Sequence, residues 1–131
     1  MIFNDTAKKL FNDRKWSIAT CGESPDVATV AFKTITDDGL MLVGDVFLNE
    51  TIKNIKANGK VTVTVFDNDS LLGYKVKGEA VYLEEGDIVN TFKNIVEGAF
   101  NGAFTAKGAI VITPRKLIDT TPGPNSGKEV R

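Results

Sequence analysis

Val43–Phe66, VGDVFLNETIKNIKANGKVTVTVF, reads as a strand end, a glycine turn, a short helix and a second strand. Asn49 stands in the N-cap position, Glu50–Asn58 carries Ile52 and Ile55 one helical turn apart, and Gly59 supplies the left-handed residue that ends such helices. Beyond it Val61, Val63 and Val65 alternate with threonines, the two-residue period of a half-buried strand. A helix that opens just past a strand and a Gly-Asp turn presents unpaired N–H groups and the positive end of its dipole, the setting in which anions bind. Asn49 and Thr51 add polar side chains there, Lys53 lies near enough to its first turn to help, and Glu50 opposes an anion. Taken alone, the same residues describe an ordinary capped connector helix first and an anion site second.

The chain has 131 residues, 42% of them hydrophobic, which is the size of one domain with a proper core. Its 16 basic and 17 acidic residues are interspersed, and no basic block would follow a nucleic-acid backbone or an anionic membrane. Cys21 is the sole cysteine and there is no histidine. That removes an intramolecular disulfide, Cys/His zinc sites and every mechanism built on an imidazole base. The first residues, MIFNDTAKKLFNDRK, lack the apolar core of a signal peptide, and no run is long enough for a membrane span, so a cytoplasmic protein is expected.

Asp5 or Thr6 caps a first helix whose face is Ala7, Leu10 and Phe11, placed as a lid on a sheet. Trp16–Cys21 and the longer β-branched run Val27–Ile35 flank the turn GESPD and form a hairpin. TDDG then leads into LMLVG, Leu40–Gly44, a strand apolar enough to be buried on both faces or at a subunit contact, so three strands precede the organising helix. After Val61–Phe66, the run GYKVKGEAVYL alternates, and Gly78 within it marks a bulge or a close backbone approach. Glu84–Asp87 starts a helix with Ile88, Phe92 and Ile95 on one stripe. Ala109–Thr113 is a last strand halted by Pro114, and residues 119–131, with TTPGPNSG, read as an extended C-terminal tail, mobile or laid across a partner. The pattern is α+β dominated by β: a six-stranded antiparallel split β-barrel with flanking short helices, a single domain over residues 1–131.

Chemistry is sparse. The carboxylate pairs Asp37-Asp38, Asp67/Asp69 and Glu84-Glu85 lie in turns or at a helix start, where capping explains them. Cys21 has no histidine to activate it, and neither Gly22-Glu23 nor Gly44-Asp45 has the spacing of a dinucleotide or P-loop motif. Phe47, in a Gly-Asp-x-x-Leu-Asn loop, either plugs the barrel mouth or packs on a flat ligand. No residue has the setting of a catalytic group or a metal ligand.

The stretch from KWSIATCGESPD to KVTVTVFD, followed by GYKVKGEAVYL and KGAIVITPRKLIDTTPG, resembles the FMN-binding split-barrel family of pyridoxamine-phosphate-oxidase-like proteins, over roughly residues 3 to 123. The resemblance rests on the order of these elements, and the small FMN-binding proteins of anaerobes are nearest in size. It implies a homodimer holding FMN at the subunit interface. It places Thr29, Val30, Ala31 and Phe32 along the ribityl chain and ring edge, with Val43, Gly44 and Asp45 on the pyrimidine side through backbone groups. Asn49, Glu50 and Thr51 fall where the family grips the phosphate, the position that helix capping marks independently; Phe47 lies beside them. Pro122 and Gly123 correspond to parts that in some relatives reach the flavin across the dimer.

Many relatives carry arginine or lysine just before the phosphate-site helix, whereas this chain has LNET. The basic, histidine-containing C-terminal pattern of true pyridoxamine-phosphate oxidases is also missing, so that activity is not expected. The resulting expectation is an FMN-binding flavoprotein and oxidoreductase of unknown substrate. Its rivals are a non-enzymatic FMN electron carrier and a cofactor-free β-barrel interaction module.

Overall fold

The computed structural model describes Met1–Arg131 as seven strands and three helices: α1 Asp5–Asp13, β1 Trp16–Cys21, β2 Pro25–Val30, β3 Lys33–Ile35, β4 Met41–Asp45, α2 Glu50–Asn58, β5 Lys60–Phe66, β6 Gly73–Leu83, α3 Asp87–Ala99 and β7 Gly108–Asp119. All strands join one antiparallel sheet in the order β2-β1-β5-β6-β7-β4-β3. Its two edges, β2 and β3, are consecutive in the chain and separated only by Ala31 and Phe32. The sheet therefore curls until its edges meet, and covalent chain rather than a strand ladder spans the gap. This is a split barrel, with seven strands where six were expected. The run Val27–Ile35 is two strands because it must leave one edge and reach the other. Four strands, not three, thus precede α2.

Alternation along the strands fills the interior. Trp16 and Ile18, Val61, Val63 and Val65, Tyr74 and Val76, Met41 and Val43, and Ile110 and Ile112 all belong to one buried cluster. The opposite face of β4 and β7 supplies Leu42 and Ala109 to a second cluster with Val89, Phe92 and Val96 of α3. This accounts for the uniformly apolar LMLVG: β4 is buried on both faces because α3 covers its outer one. Ile95 faces outward instead and is half exposed.

The other two helices close the ends. Helix α1 is capped by Asn4, whose Oδ1 accepts from the Ala7 N–H at 2.7 Å, one residue ahead of the expected cap. Its Phe11 packs edge-on against Phe3 and Trp16. The Trp16 indole donates to the Phe11 carbonyl at 2.6 Å, and the Lys33 ammonium caps the carbonyls of Phe11 and Asn12 at 2.9 Å each. Burial lowers the Lys33 pKa. Helix α2 is seated by Asn54, which donates to Thr20 Oγ1 at 3.0 Å, and it ends at Gly59 with φ 69°.

Pro114 does not stop the last strand. The β6–β7 register slips between Lys77 and Gly78, so that Lys77 faces Lys116, Gly78 faces Pro114 and Arg115 is the extra residue. A proline fits at such a bulge because the ladder there needs no N–H from it. The bulge also flips the phase of β7, so that both Ile112 and Leu117 face the interior. Nor does the segment after Asp119 extend away from the domain. It returns along β7, with Gly127 N–H donating to the Asp119 carbonyl at 2.7 Å and Val130 N–H to the Leu117 carbonyl at 2.8 Å, because β7 otherwise leaves these groups unpaired.

A Cβ on Gly78 would stand 2.7 Å from the Thr113 carbonyl oxygen, whereas one on Gly98 in α3 meets nothing within 4 Å. In urea denaturation, Gly78→Ala is expected to cost about 1–3 kcal/mol and Gly98→Ala to stabilise by about 0.5–1 kcal/mol. Asp67, between β5 and β6, accepts from Ser70 and pairs with Arg14 at 2.9 Å beyond α1. Those bonds, the Ser70 hydroxyl's foremost, lower its pKa to about 2. The stabilisation is therefore complete above the unfolded carboxyl pKa and lost as pH falls through the folded one. Thermal melts should show Asp67→Asn less stable than the native chain at neutral pH, the gap closing as the pH is taken to about 2.

Candidate functional site

The break between β2 and β3 leaves a groove of about 340 Å³. One wall is Ala28, Thr29, Val30, Ala31 and Phe32; the other is Gly44, Val46, Phe47 and Leu48, with Phe100 closing one side. Thr29 has the only polar side chain in this lining and none is charged. Such a surface suits the face of a flat, largely apolar ring. Gly44 is required where β4 passes under α3, since a Cβ there would lie 2.7 Å from Phe92 Cδ1.

The mouth of the groove is aromatic. Phe47 meets Phe104 at 5.0 Å and Phe100 at 6.5 Å between ring centroids, Phe100 meets Phe104 at 5.2 Å, and Phe32 meets Phe100 at 5.9 Å. These are mostly edge-on contacts of favourable quadrupole geometry. Phe47 is 64% exposed, so it does not fill the barrel interior and stands at the rim. Phe100 and Phe104 are not among the residues expected at the site, although their four-residue spacing after a helix is a usable signal.

Beside the groove, and sharing Leu48 with it, lies a cavity of about 700 Å³ against α2, β6 and the start of β7. Lys53, Lys56 and Lys107 line it together with Asn49, Asp45, Tyr82 and Glu84. Asp45 is only 1% exposed. Its Oδ1 accepts from the Leu48 N–H at 3.1 Å and its Oδ2 from the Tyr82 hydroxyl at 2.6 Å, so the carboxylate both folds the loop ahead of α2 and ties it to β6. Burial, followed by the bond to Asp45, raises the Tyr82 pKa above its ordinary value. The Asp45–Tyr82 pair is not legible in the sequence, because residues 37 apart meet only through the sheet register.

The expected site residues thus divide. Thr29, Val30, Ala31, Phe32, Gly44 and Phe47 come together in the groove, and Asp45 and Asn49 face the larger cavity. Val43 points into the core. The Gly44 N–H donates to the Phe32 carbonyl at 2.8 Å, and the Asp45 carbonyl accepts from the Lys107 N–H at 2.7 Å, so these two backbone groups are already engaged. Asn49 occupies the N-cap position of α2, but its side chain makes no capping bond. Thr51 is buried with its hydroxyl 3.5 Å from Asp26 Oδ2, and Glu50 is exposed. The first turn of α2 therefore keeps its positive end while carrying two carboxylates nearby. Pro122 and Gly123 line neither the groove nor the larger cavity.

An open antiparallel barrel with an uncharged groove at its split and a helix N-terminus beside it is a split barrel. A family model for pyridoxamine 5'-phosphate oxidase matches residues 3–123, and the chain belongs to that family. It is 35% identical over 115 residues to an uncharacterized protein of Methanocaldococcus jannaschii, covering 85% of this chain and 76% of that one. Among solved structures it is similar to HupZ of Group A Streptococcus, with a TM-score of 0.82, 24% identity and 95% and 99% of the two chains covered. An FMN-binding protein of Syntrophomonas wolfei superposes with a TM-score of 0.75 at 20% identity over 86% and 82% of the chains. These structural likenesses are likenesses of fold.

Tyr82→Phe removes the donor that satisfies a buried carboxylate oxygen, and should cost about 1–3 kcal/mol in urea denaturation. Asp45→Asn, which keeps side-chain polar atoms at both positions, should cost less.

Proposed function

We propose that the chain is a homodimeric FMN-binding flavoprotein of the oxidoreductase class. The observation that carries this reading is the gathering of Thr29, Val30, Ala31, Phe32, Gly44 and Phe47 around one uncharged groove beside the open first turn of α2. The ring lies in the groove against Phe47, and the phosphate lies at Asn49, Glu50 and Thr51. Family membership and the likeness to an FMN-binding protein support the same cofactor. When bound, the flavin supplies the electron transfer; the chain's own residues bind it, orient it and exclude water.

The Asp26 and Glu50 carboxylates weaken the hold on a phosphate dianion, which makes for modest FMN affinity. A second copy of the chain is the partner best suited to the exposed apolar side chains Val27, Phe47, Ile95 and Phe104 and to the free edge of β2. Electron carriage without a dedicated substrate is the second reading, favoured by the absence of any titratable side chain from the groove lining. Turnover assays with reduced nicotinamides, with and without an added reductase, separate the two.

Visible absorption after FMN loading and gel filtration tests the cofactor: a flavin band travelling with the native chain is expected. Ala28→Trp, which fills the groove, should abolish it without lowering the melting temperature. Glu50→Lys should tighten FMN roughly threefold to thirtyfold and leave riboflavin, which has no phosphate, unchanged. No retained band from the native chain, or equal effects of Glu50→Lys on both flavins, would contradict the assignment.

A further inference from the structure

The outer face of the sheet, on the strands farthest from the split, gathers charge that is scattered in the sequence. Lys75 and Lys77 of the central strand β6 point outward, in alternation with the buried Tyr74 and Val76. In register with them stand Thr64 and Thr62 of β5 on one side, and on the other Lys116 of β7, directly across from Lys77. Lys60 opens β5, and the bulge adds Arg115 as an extra residue.

Lys60, Lys75, Lys77 and Lys116 have no carboxylate within 4 Å. Glu79 lies across from Lys60 in the register but gives its carboxylate to Arg115 at 2.8 Å. Five cations thus share the face with one acid. Lysines placed directly opposite one another repel, so the Lys77–Lys116 pair does nothing to hold β6 and β7 together. With 16 basic and 17 acidic residues in the whole chain, the surface outside this face is net acidic.

Geometry narrows the choice of partner. Residues across adjacent strands lie about 5 Å apart and alternate residues along a strand roughly 7 Å apart, so the ammonium groups rise from a compact grid. These strands are paired on both sides and offer no backbone edge, which leaves recognition to side chains. Between Lys60 and Lys77 the face sinks into a hollow of about 380 Å³ lined by Ala19, Thr62 and Gly78, shaped to take a ridge. At both ends of β6 the charge reverses: Asp67, paired with Arg14, and the exposed Asp69 precede it, and Glu84, Glu85 and Asp87 follow. A nucleic-acid strand laid along the lysines would run onto these carboxylates, and apart from Phe66 at one end the face lacks rings for bases to stack on.

We propose that this face docks a protein partner through a helix bearing a row of carboxylates, which Lys60, Lys75, Lys77 and Lys116 receive. Side chains one turn apart on a helix repeat at about 5–6 Å, close to the spacing of the grid, and a short acidic row ends before the acidic loops begin. Docking here leaves the groove at the split open.

The probe is an alanine-rich helical peptide with a row of glutamates along one face, titrated into the full chain at about 0.15 M salt, where exposed charges act over roughly 8 Å, with amide NMR shifts as the readout. Saturable shifts at Lys60, Thr62, Lys75, Lys77 and Lys116 are expected. Lys75→Glu/Lys116→Glu should weaken the peptide at least tenfold, and the milder Lys75→Gln/Lys116→Gln at least threefold. Lys8→Glu/Lys93→Glu, which makes the same charge change on α1 and α3, should leave it unchanged. Lys116→Glu alone sets a glutamate opposite Lys77 and should melt no lower than the native chain, so that lost binding is not lost fold. Absence of saturable shifts, or equal weakening by the Lys8 and Lys93 changes, would overturn the proposal. Tighter binding of oligodeoxythymidylate or of phosphatidylserine vesicles than of the peptide would overturn it too, by assigning the face to another class of partner.

Discussion

The passage of Ala31 and Phe32 from one edge of the sheet to the other governs this molecule. With β2 and β3 as the two edges and only these residues between them, the sheet has to curl, yet it cannot complete its ladder. The Gly44 N–H donates to the Phe32 carbonyl, carrying the β3–β4 pairing one residue further, and beyond it the opening becomes the groove. Closure by hydrogen bonds would have removed the edges and the groove together.

Two further arrangements follow from that opening. A barrel with a gap needs its outer faces covered, and α3 does so by laying Val89, Phe92 and Val96 over Leu42 and Ala109. The same helix ends at the groove, so Phe100 and Phe104 reach Phe47 there. Helix α1 seals one end of the barrel through Phe11 and Trp16, and burying such aromatic side chains is worth on the order of 1.5–3 kcal/mol each.

The two cavities differ in chemistry although Leu48 belongs to both. The groove has no charge and a rim of phenylalanines; the larger cavity has lysines and Glu84 over the buried Asp45 carboxylate and the half-buried Tyr82. The loop from Asp45 to Asn49 divides them, held by the Asp45 carboxylate on Leu48 N–H. A single buried acid thereby shapes both cavities.

Local pattern is enough to find α2, the alternation of β5 and β6, the doubly buried β4 and the irregularity at Gly78, because each depends on neighbours a few residues apart. The family's order of elements places the groove residues Thr29–Phe32, Gly44 and Phe47. The break at Ala31-Phe32 is hidden, since a β-branched run carries no mark of which sheet edge each half joins. Pro114 looks like a stop because its bulge exists only opposite Gly78, and the tail looks free because its partner is the far end of β7. The Asp45–Tyr82 bond and the contact of Phe47 with Phe104 join residues dozens of positions apart. Periodicity reports which face of an element is buried; only the assembled sheet decides which faces meet.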